Sequence, residues 1–312
     1  MFIFPKEESE EEKIIKEWKK EITPVPQFSE NVKVMKIKYS PDEVEIMDIF
    51  RAVFLSKEIS KRVYDLTSIV IPINPTNYTA WVLRRECIDK VKEIDINEEL
   101  NWLNNMCILH QKNYQMWHHR KLLIEKMNDA SHEKNLLDEI FKVEPKNFHA
   151  WTHRIWMIRR FNNVEGEYDF IEKMLEDDIK NNSVWTYRFF FILYENGNKL
   201  DKNIIEKELK YAFDKIKKCP LNECPYCYIR GLITKFKFKF NDFNFIKEEL
   251  ENILKENENN RYALNLLLDY YEEEKNEEKF NEIIEKLKKD DYIRKKYYGW
   301  RKENSAFTEI KK

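Results

Sequence analysis

Glycine is nearly missing from this chain. Only Gly166, Gly197, Gly231 and Gly299 occur in 312 residues, and no two are close enough to make a G-x-G or a P-loop. Nucleotide-binding loops of the Rossmann and Walker kinds are therefore excluded. So few glycines also argue against a turn-rich β-sandwich or barrel. No run approaches the roughly 20 apolar residues that span a bilayer. Neither sign of charge dominates: 55 Lys and Arg face 57 Asp and Glu, a net charge of −2, which gives no global pull toward nucleic acid. Five cysteines, an odd number in a charged chain, read as reduced thiols and a cytoplasmic location. The first dozen residues turn acidic after their apolar start, so a cleaved leader is not expected. With 42% hydrophobic, 36% charged and 14% aromatic residues, the composition is that of a globular, largely helical protein.

What is present in abundance is repetition. Asn77-Tyr78-Thr79-Ala80-Trp81-Val82-Leu83-Arg84 returns as Asn113-Tyr114-Gln115-Met116-Trp117-His118-His119-Arg120. It returns again around Asn147, Trp151 and Arg154, then around Asn181, Trp185 and Arg188. Every copy has Asn, Trp four residues on and Arg three further, and the Trp spacings are 36, 34 and 34. A fading fifth copy follows at Asn222…Tyr226…Ile229, and a sixth at Asn259…Ala263. A fixed period of this length marks a repeat architecture.

One repeat can be read physically. Asn is a preferred N-cap, since its side-chain oxygen accepts from an orphan N–H of the first helical turn. Pro75 and Pro145 precede it by two residues, where the chain is still a loop. Trp at cap+4 and Arg at cap+7 share one helical face. Between these helices run others with apolar residues three and four apart, such as Leu136, Leu137, Ile140 and Phe141. Each repeat is thus a helical hairpin that buries its stripe only by stacking on its neighbours. The expectation is an all-α solenoid of about seven hairpins, a single domain over 15–312 after a flexible acidic lead at 1–14. Its repeats fall near 65–100, 101–135, 136–168, 169–205, 206–244 and 245–290. Each Trp is expected to fill the groove between hairpins, and each Arg to pair with a carboxylate or a helix-end carbonyl.

The capping register sends the residues around each Asn to one edge of the stack. That edge presents Thr76, Tyr78 and Thr79, then Lys112, Tyr114 and Gln115, then Lys146, Phe148 and His149. Such a polar, partly cationic surface suits a phosphate or a carboxylate. Metal chemistry has little support. His149 and His153 have i, i+4 spacing, but no Glu completes an H-E-x-x-H. Cys224 and Cys227 form one C-x-x-C without a second pair, read as small packing residues. The alternating Lys235 to Phe240 reads as the irregular end of a helix. By these residues alone the chain is a binding or scaffolding solenoid.

The segments around Asn77, Lys112-Asn113 and Lys146-Asn147 resemble the repeats of the protein prenyltransferase alpha subunit, and most of all the one shared by protein farnesyltransferase and protein geranylgeranyltransferase type I. Pro24-Val25-Pro26-Gln27, Phe50-Arg51-Ala52-Val53, Asn181 to Trp185 and Tyr262-Ala263-Leu264 are similar to further segments of that subunit, in order. The likeness runs over residues 15–300.

That resemblance implies a right-handed alpha-alpha superhelix, crescent-shaped and wrapped around a beta subunit in an obligate heterodimer. It implies transfer of a farnesyl or geranylgeranyl group from its diphosphate to the Cys of a C-terminal CaaX sequence, carried by proteins such as small GTPases. Zinc would sit on the beta subunit, where it activates the thiol, and Mg2+ would accompany the diphosphate. This chain would hold no metal, bind no nucleic acid and insert in no membrane. By motif position Lys112 is the catalytic residue that contacts the diphosphate and offsets its growing charge, with Tyr114 beside it. Gln115 would bind the peptide carboxylate. Tyr78, Asn147 and His149 would face the same cavity. Phe148 departs from the Tyr common in the family, so it is left out of the contacts. The alternatives are the alpha subunit of Rab geranylgeranyltransferase, which needs an escort protein, and a non-catalytic scaffold. The W-x2-L-G-x2-Y signature of tetratricopeptide scaffolds is absent.

Overall fold

The structure, a computed structural model, describes residues 9–27 and 37–309. The chain divides into two compact units, 1–162 and 163–312, and among the described residues every regular element is helical. The first unit contains α1 (Glu10–Glu21), α2 (Pro41–Ser56), α3 (Lys61–Ile73), α4 (Tyr78–Lys90), α5 (Ile96–Leu109), α6 (Tyr114–Met127), α7 (Glu133–Val143) and α8 (Phe148–Phe161). The second contains α9 (Glu167–Asp177), α10 (Asn182–Glu195), α11 (Lys202–Lys218), α12 (Glu223–Lys235), α13 (Phe245–Glu256), α14 (Arg261–Glu273), α15 (Glu277–Asp290), α16 (Lys295–Glu303) and α17 (Ala306–Glu309). Short 3-10 turns lie at Phe240–Asp242 and Tyr292–Arg294.

Consecutive helices pair as hairpins: α3 with α4, α5 with α6 and α7 with α8 in the first unit. In the second, α9 pairs with α10, α11 with α12, α13 with α14 and α15 with α16. Asp95 caps α5, its carboxylate accepting from the Asn97 N–H. Of the acidic lead, residues 1–8 lie outside the described residues. From Glu10 onward it is helical: Ser9 and Glu12 form a reciprocal capping box, and three glutamates favour the positive end of the helix dipole. The Lys235 to Phe240 stretch is a helix end, with Lys237 in the left-handed region and a 3-10 turn beyond it.

The asparagines do what their spacing predicts. Asn77, Asn113 and Asn147 accept from the N–H of Ala80, Met116 and Ala150 at 3.2, 2.8 and 3.0 Å. Asn181 and Asn222 cap the corresponding helices of the second unit, and in the sixth copy the cap is Asn260, one residue beyond the expected Asn259. Each Trp is buried, Trp81 completely. Its indole N–H turns back to the carbonyl six residues earlier: Trp81 to Pro75, Trp117 to Gln111, Trp151 to Pro145 and Trp185 to Ile179, all at 2.8–3.0 Å. Tyr226 reaches the equivalent oxygen, Pro220 O, through its hydroxyl at 2.9 Å. The fifth repeat has therefore changed residue and kept the bond.

The same carbonyls receive a second donor. The amide of Asn113 donates to Pro75 O at 2.7 Å, and that of Asn147 to Gln111 O at 3.3 Å. Asn222 and Asn260 likewise donate to Ile179 O and Pro220 O. Each of these four oxygens thus joins its own Trp or Tyr to the next repeat's cap, so burial leaves neither polar group unpaired.

The arginines pair with buried glutamates. Arg84 holds Glu99, with Nε to Oε1 at 2.7 Å; Arg120 holds Glu133 and Arg188 holds Glu208, each at 2.8 Å. A ring from the second helix of the glutamate's own hairpin closes each clamp: His119 on Glu99, His153 on Glu133 and Tyr228 on Glu208, at 2.6–2.7 Å. Tyr187 makes the same contact with Glu167. The glutamate and its ring are always twenty residues apart. A buried carboxylate shared by two hairpins explains why the Arg recurs with the Trp.

Candidate functional site on the loop edge

Because the Asn caps fix where α4, α6 and α8 begin, the residue after each cap is thrown outward. Tyr78, Tyr114 and Phe148 are accordingly all about two-thirds exposed. Between the first and second of these turns lies an open hollow of about 560 Å³. Pro75 and Thr76 wall one side; His110, Lys112, Tyr114 and Gln115 form the centre; and Glu144 closes the other side.

Lys112 extends into solvent, its side chain 76% exposed, and its Nζ lies 3.0 Å from Glu144 Oε1. His149 stands edge-on against Tyr114, ring centres 4.3 Å apart, and lies nearly parallel to Trp117. Burial draws the His149 imidazole below its usual pKa, opposed by a contact with the Lys112 backbone. The hollow therefore combines one ammonium, an amide, a phenol and a neutral imidazole at its border. That set can hold an anion, and at the same time donate to a carboxylate.

The structure brings Lys112, Tyr114 and Gln115 together in this hollow, with His149 at its edge. Tyr78 lies on the same edge, one repeat earlier, and is exposed. Asn147 has a different job. It is buried, and its amide donates to Gln111 O and Glu144 Oε2 while its oxygen caps α8. Its polar atoms are committed to joining repeats. Sequence reasoning missed Glu144 and the apolar pair Ile108 and Leu109 in the hollow. Glu144 could have been found from its place three residues before the cap, where its carbonyl accepts the Asn147 N–H.

Among the described residues, no group of three or more His, Cys, Asp or Glu is placed to hold a metal ion. His119 and His153 are each used by a glutamate, Cys87 and Cys107 are buried, and none of the five cysteines is in a disulfide. No described helix is long and apolar enough to cross a membrane.

Capped helical hairpins, with shared carbonyls joining neighbours within each unit and a polar hollow at the loops of the first, define an all-α repeat protein. Sequence comparison makes that class specific. The model of the protein prenyltransferase alpha subunit repeat matches residues 96–127, 130–161 and 164–194, which are the α5/α6, α7/α8 and α9/α10 hairpins. Three consecutive hairpins of this chain are thus similar to the protein prenyltransferase alpha subunit repeat. It is 37% identical over 103 residues to the protein farnesyltransferase/geranylgeranyltransferase type-1 subunit alpha of Schizosaccharomyces pombe, covering 33% of this chain and 35% of that one. It is 40% identical over 90 residues to the protein of the same name in Dictyostelium discoideum, covering 27% of this chain and 28% of that one. The chain thus aligns with about a third of the length of these curated relatives. In structure it is similar to a chain of Candida albicans protein geranylgeranyltransferase-I complexed with GGPP. The TM-score is 0.82 and the identity 28%, over 91% of this chain and 97% of that one.

Proposed function

We propose that this chain is the alpha subunit of a heterodimeric protein prenyltransferase, acting in the cytoplasm on proteins that end in CaaX. The reading is carried by one observation: Lys112, Tyr114 and Gln115 line a single hollow on the loop edge. The names of the curated relatives and of the similar structure support the type-1 enzyme over the Rab enzyme. The partner, the isoprenoid diphosphate, zinc and magnesium enter only with this reading. No residues of this chain among those described fit a zinc site, so the metal would belong to the beta subunit.

What this chain would contribute is electrostatic and positional. As the bond between isoprenoid carbon and diphosphate oxygen breaks, negative charge grows on the leaving group. The exposed Lys112 ammonium is suited to meet that charge. Tyr114 beside it is held edge-on by His149 and can offer its hydroxyl to the same phosphate. Gln115, half-buried at the helix start, can donate its amide to the terminal carboxylate of a peptide and so measure where the substrate ends. Tyr78 would extend the same wall.

The experiment is peptide prenylation by the full chain with its co-purified partner, without any escort protein. Lys112→Ala should lower kcat about 100-fold, the scale of losing one charge-stabilising group, while peptide KM changes little. An unchanged kcat would remove Lys112 from the chemistry. Activity that appears only with an escort protein would assign the chain to the Rab enzyme instead.

A further inference from the structure

The net charge of −2 hides a strong local imbalance. Between residues 286 and 302 there are eight Lys and Arg against Asp290 and Asp291. The structure gathers part of this charge with aromatic residues on one exposed face. Helix α16 is anchored by its inner side: Tyr298 is buried and donates to Asp291 at 2.8 Å, and Arg301 pairs with Asp269 and Glu272. That anchoring turns Lys296, Tyr297 and Trp300, which are three and four residues apart, outward together. Tyr292 and Ile293 in the preceding turn are 74% and 79% exposed, and Trp300 is 59% exposed, stacked on Tyr297. Lys295 and Lys296 are exposed and meet no carboxylate among the described residues.

We propose that this face of α16 and its preceding turn is a docking surface for an anionic phospholipid bilayer. Trp and Tyr beside an aliphatic tip and unpaired lysines are the residue set of a membrane–water interface. Protein–protein interfaces, in contrast, are depleted in Lys. The unpaired ammonium groups supply the charge complementarity, each worth about 1 kcal/mol at an anionic surface. The nearby hollow of about 200 Å³ does not offer a discrete phosphate pocket: Glu223 and Asp291 line it with Arg230, Arg261 and Arg294, and Arg230 and Arg294 already pair with Asp269 and Asp291. The attraction is therefore to a surface. It is peripheral, with the aromatic tips at headgroup depth, and it does not depend on the function proposed above.

The test uses the full chain with any co-purified partner, in sedimentation with vesicles of phosphatidylcholine alone or mixed with phosphatidylserine. Binding is expected to the mixed vesicles only, falling as salt rises. Lys295→Gln with Lys296→Gln should weaken it about 30-fold, the equivalent of two such charges. Trp300→Ser, at an exposed position, should weaken it without changing the thermal unfolding temperature. Hydrogen exchange over 292–302 should slow on the mixed vesicles. No binding, equal binding to both vesicles, or full binding by the double variant would overturn the proposal. So would a partner that covers residues 292–300 in the isolated complex.

Discussion

Glu99 and His119, twenty residues apart in sequence, meet at 2.7 Å inside the seam between consecutive hairpins. Arg84 grips the same carboxylate from the other side. The other nitrogen of His119, Nδ1, is buried and has no hydrogen-bond partner. A bare lone pair there is tolerable, whereas an unpaired N–H would be costly. The ring is therefore neutral, donating from Nε2 to an ionised Glu99, in keeping with burial drawing its pKa below the usual value. The negative charge is balanced by Arg84 alone.

Glu99→Leu would leave the Arg84 guanidinium buried without a counter-charge, its Nη1 still bonded to Tyr64 O, Thr67 and Ser68. Removing one member of such a pair costs about 3–5 kcal/mol. Urea unfolding should show a loss of that order, and a loss below about 1 kcal/mol would contradict the clamp. Lys61→Ala removes an exposed pair with Asp65 and should change stability by less than about 1 kcal/mol.

Acid stability follows from the same groups. Burial opposes ionisation of Glu99 and Glu133, but the histidine bonds and the arginines outweigh it and hold each pKa down to about 2. Burial also lowers His119 and His153, against the pull of those glutamates. All four folded values lie below the unfolded ones, so their stabilisation is present at high pH and lost as pH falls. The histidines should begin the loss below about 6.5, and the glutamates should continue it from about 4.5 toward 2. Unfolding free energy measured from pH 8 to 3 should decline in these two stages. A flat profile between pH 6 and 4 would show that the clamps do not set acid stability.

Tyr226 and Trp117 make one bond by different chemistry. Tyr226→Phe and Trp117→Phe should each cost about 1–2 kcal/mol, because a buried carbonyl loses a donor. Trp117→Ala should cost about 3–5 kcal/mol through the cavity it leaves. Thermal unfolding of the three variants checks the order, and equal losses for Phe and Ala at position 117 would deny the packing role.

Glu144 restrains Lys112 in the hollow, at 3.0 Å across an exposed pair. Glu144→Gln should free the ammonium and remove a nearby negative charge. Under the proposed function, affinity for an isoprenoid diphosphate in the complex should then rise about two- to fivefold, the scale of one surface pair. Weaker binding would mean that Glu144 orients Lys112 instead of competing for it.

Much of this molecule was legible in its sequence. The period, the Asn cap, the buried Trp and a carboxylate for each Arg all follow from spacing, since these interactions span at most a few residues or recur in every repeat. The hollow's Lys112, Tyr114 and Gln115 were legible for the same reason: the cap fixes the start of α6, and so the direction of the residues beside it. Other features depended on elements brought together from afar. Glu144 reaches Lys112 across 32 positions: its place before the Asn147 cap is local, but its pairing with Lys112 exists only once the two hairpins are stacked. Asn147 was read as lining the cavity, and only its packing against Gln111 O showed that its amide joins two repeats. The basic aromatic face of α16 is likewise invisible in a chain of net charge −2, because Tyr298 and Arg301 decide which side of that helix turns inward. Sequence determined the repeating unit through local hydrogen bonding and periodicity, and only tertiary packing decided which long-range partners meet and which charges remain free.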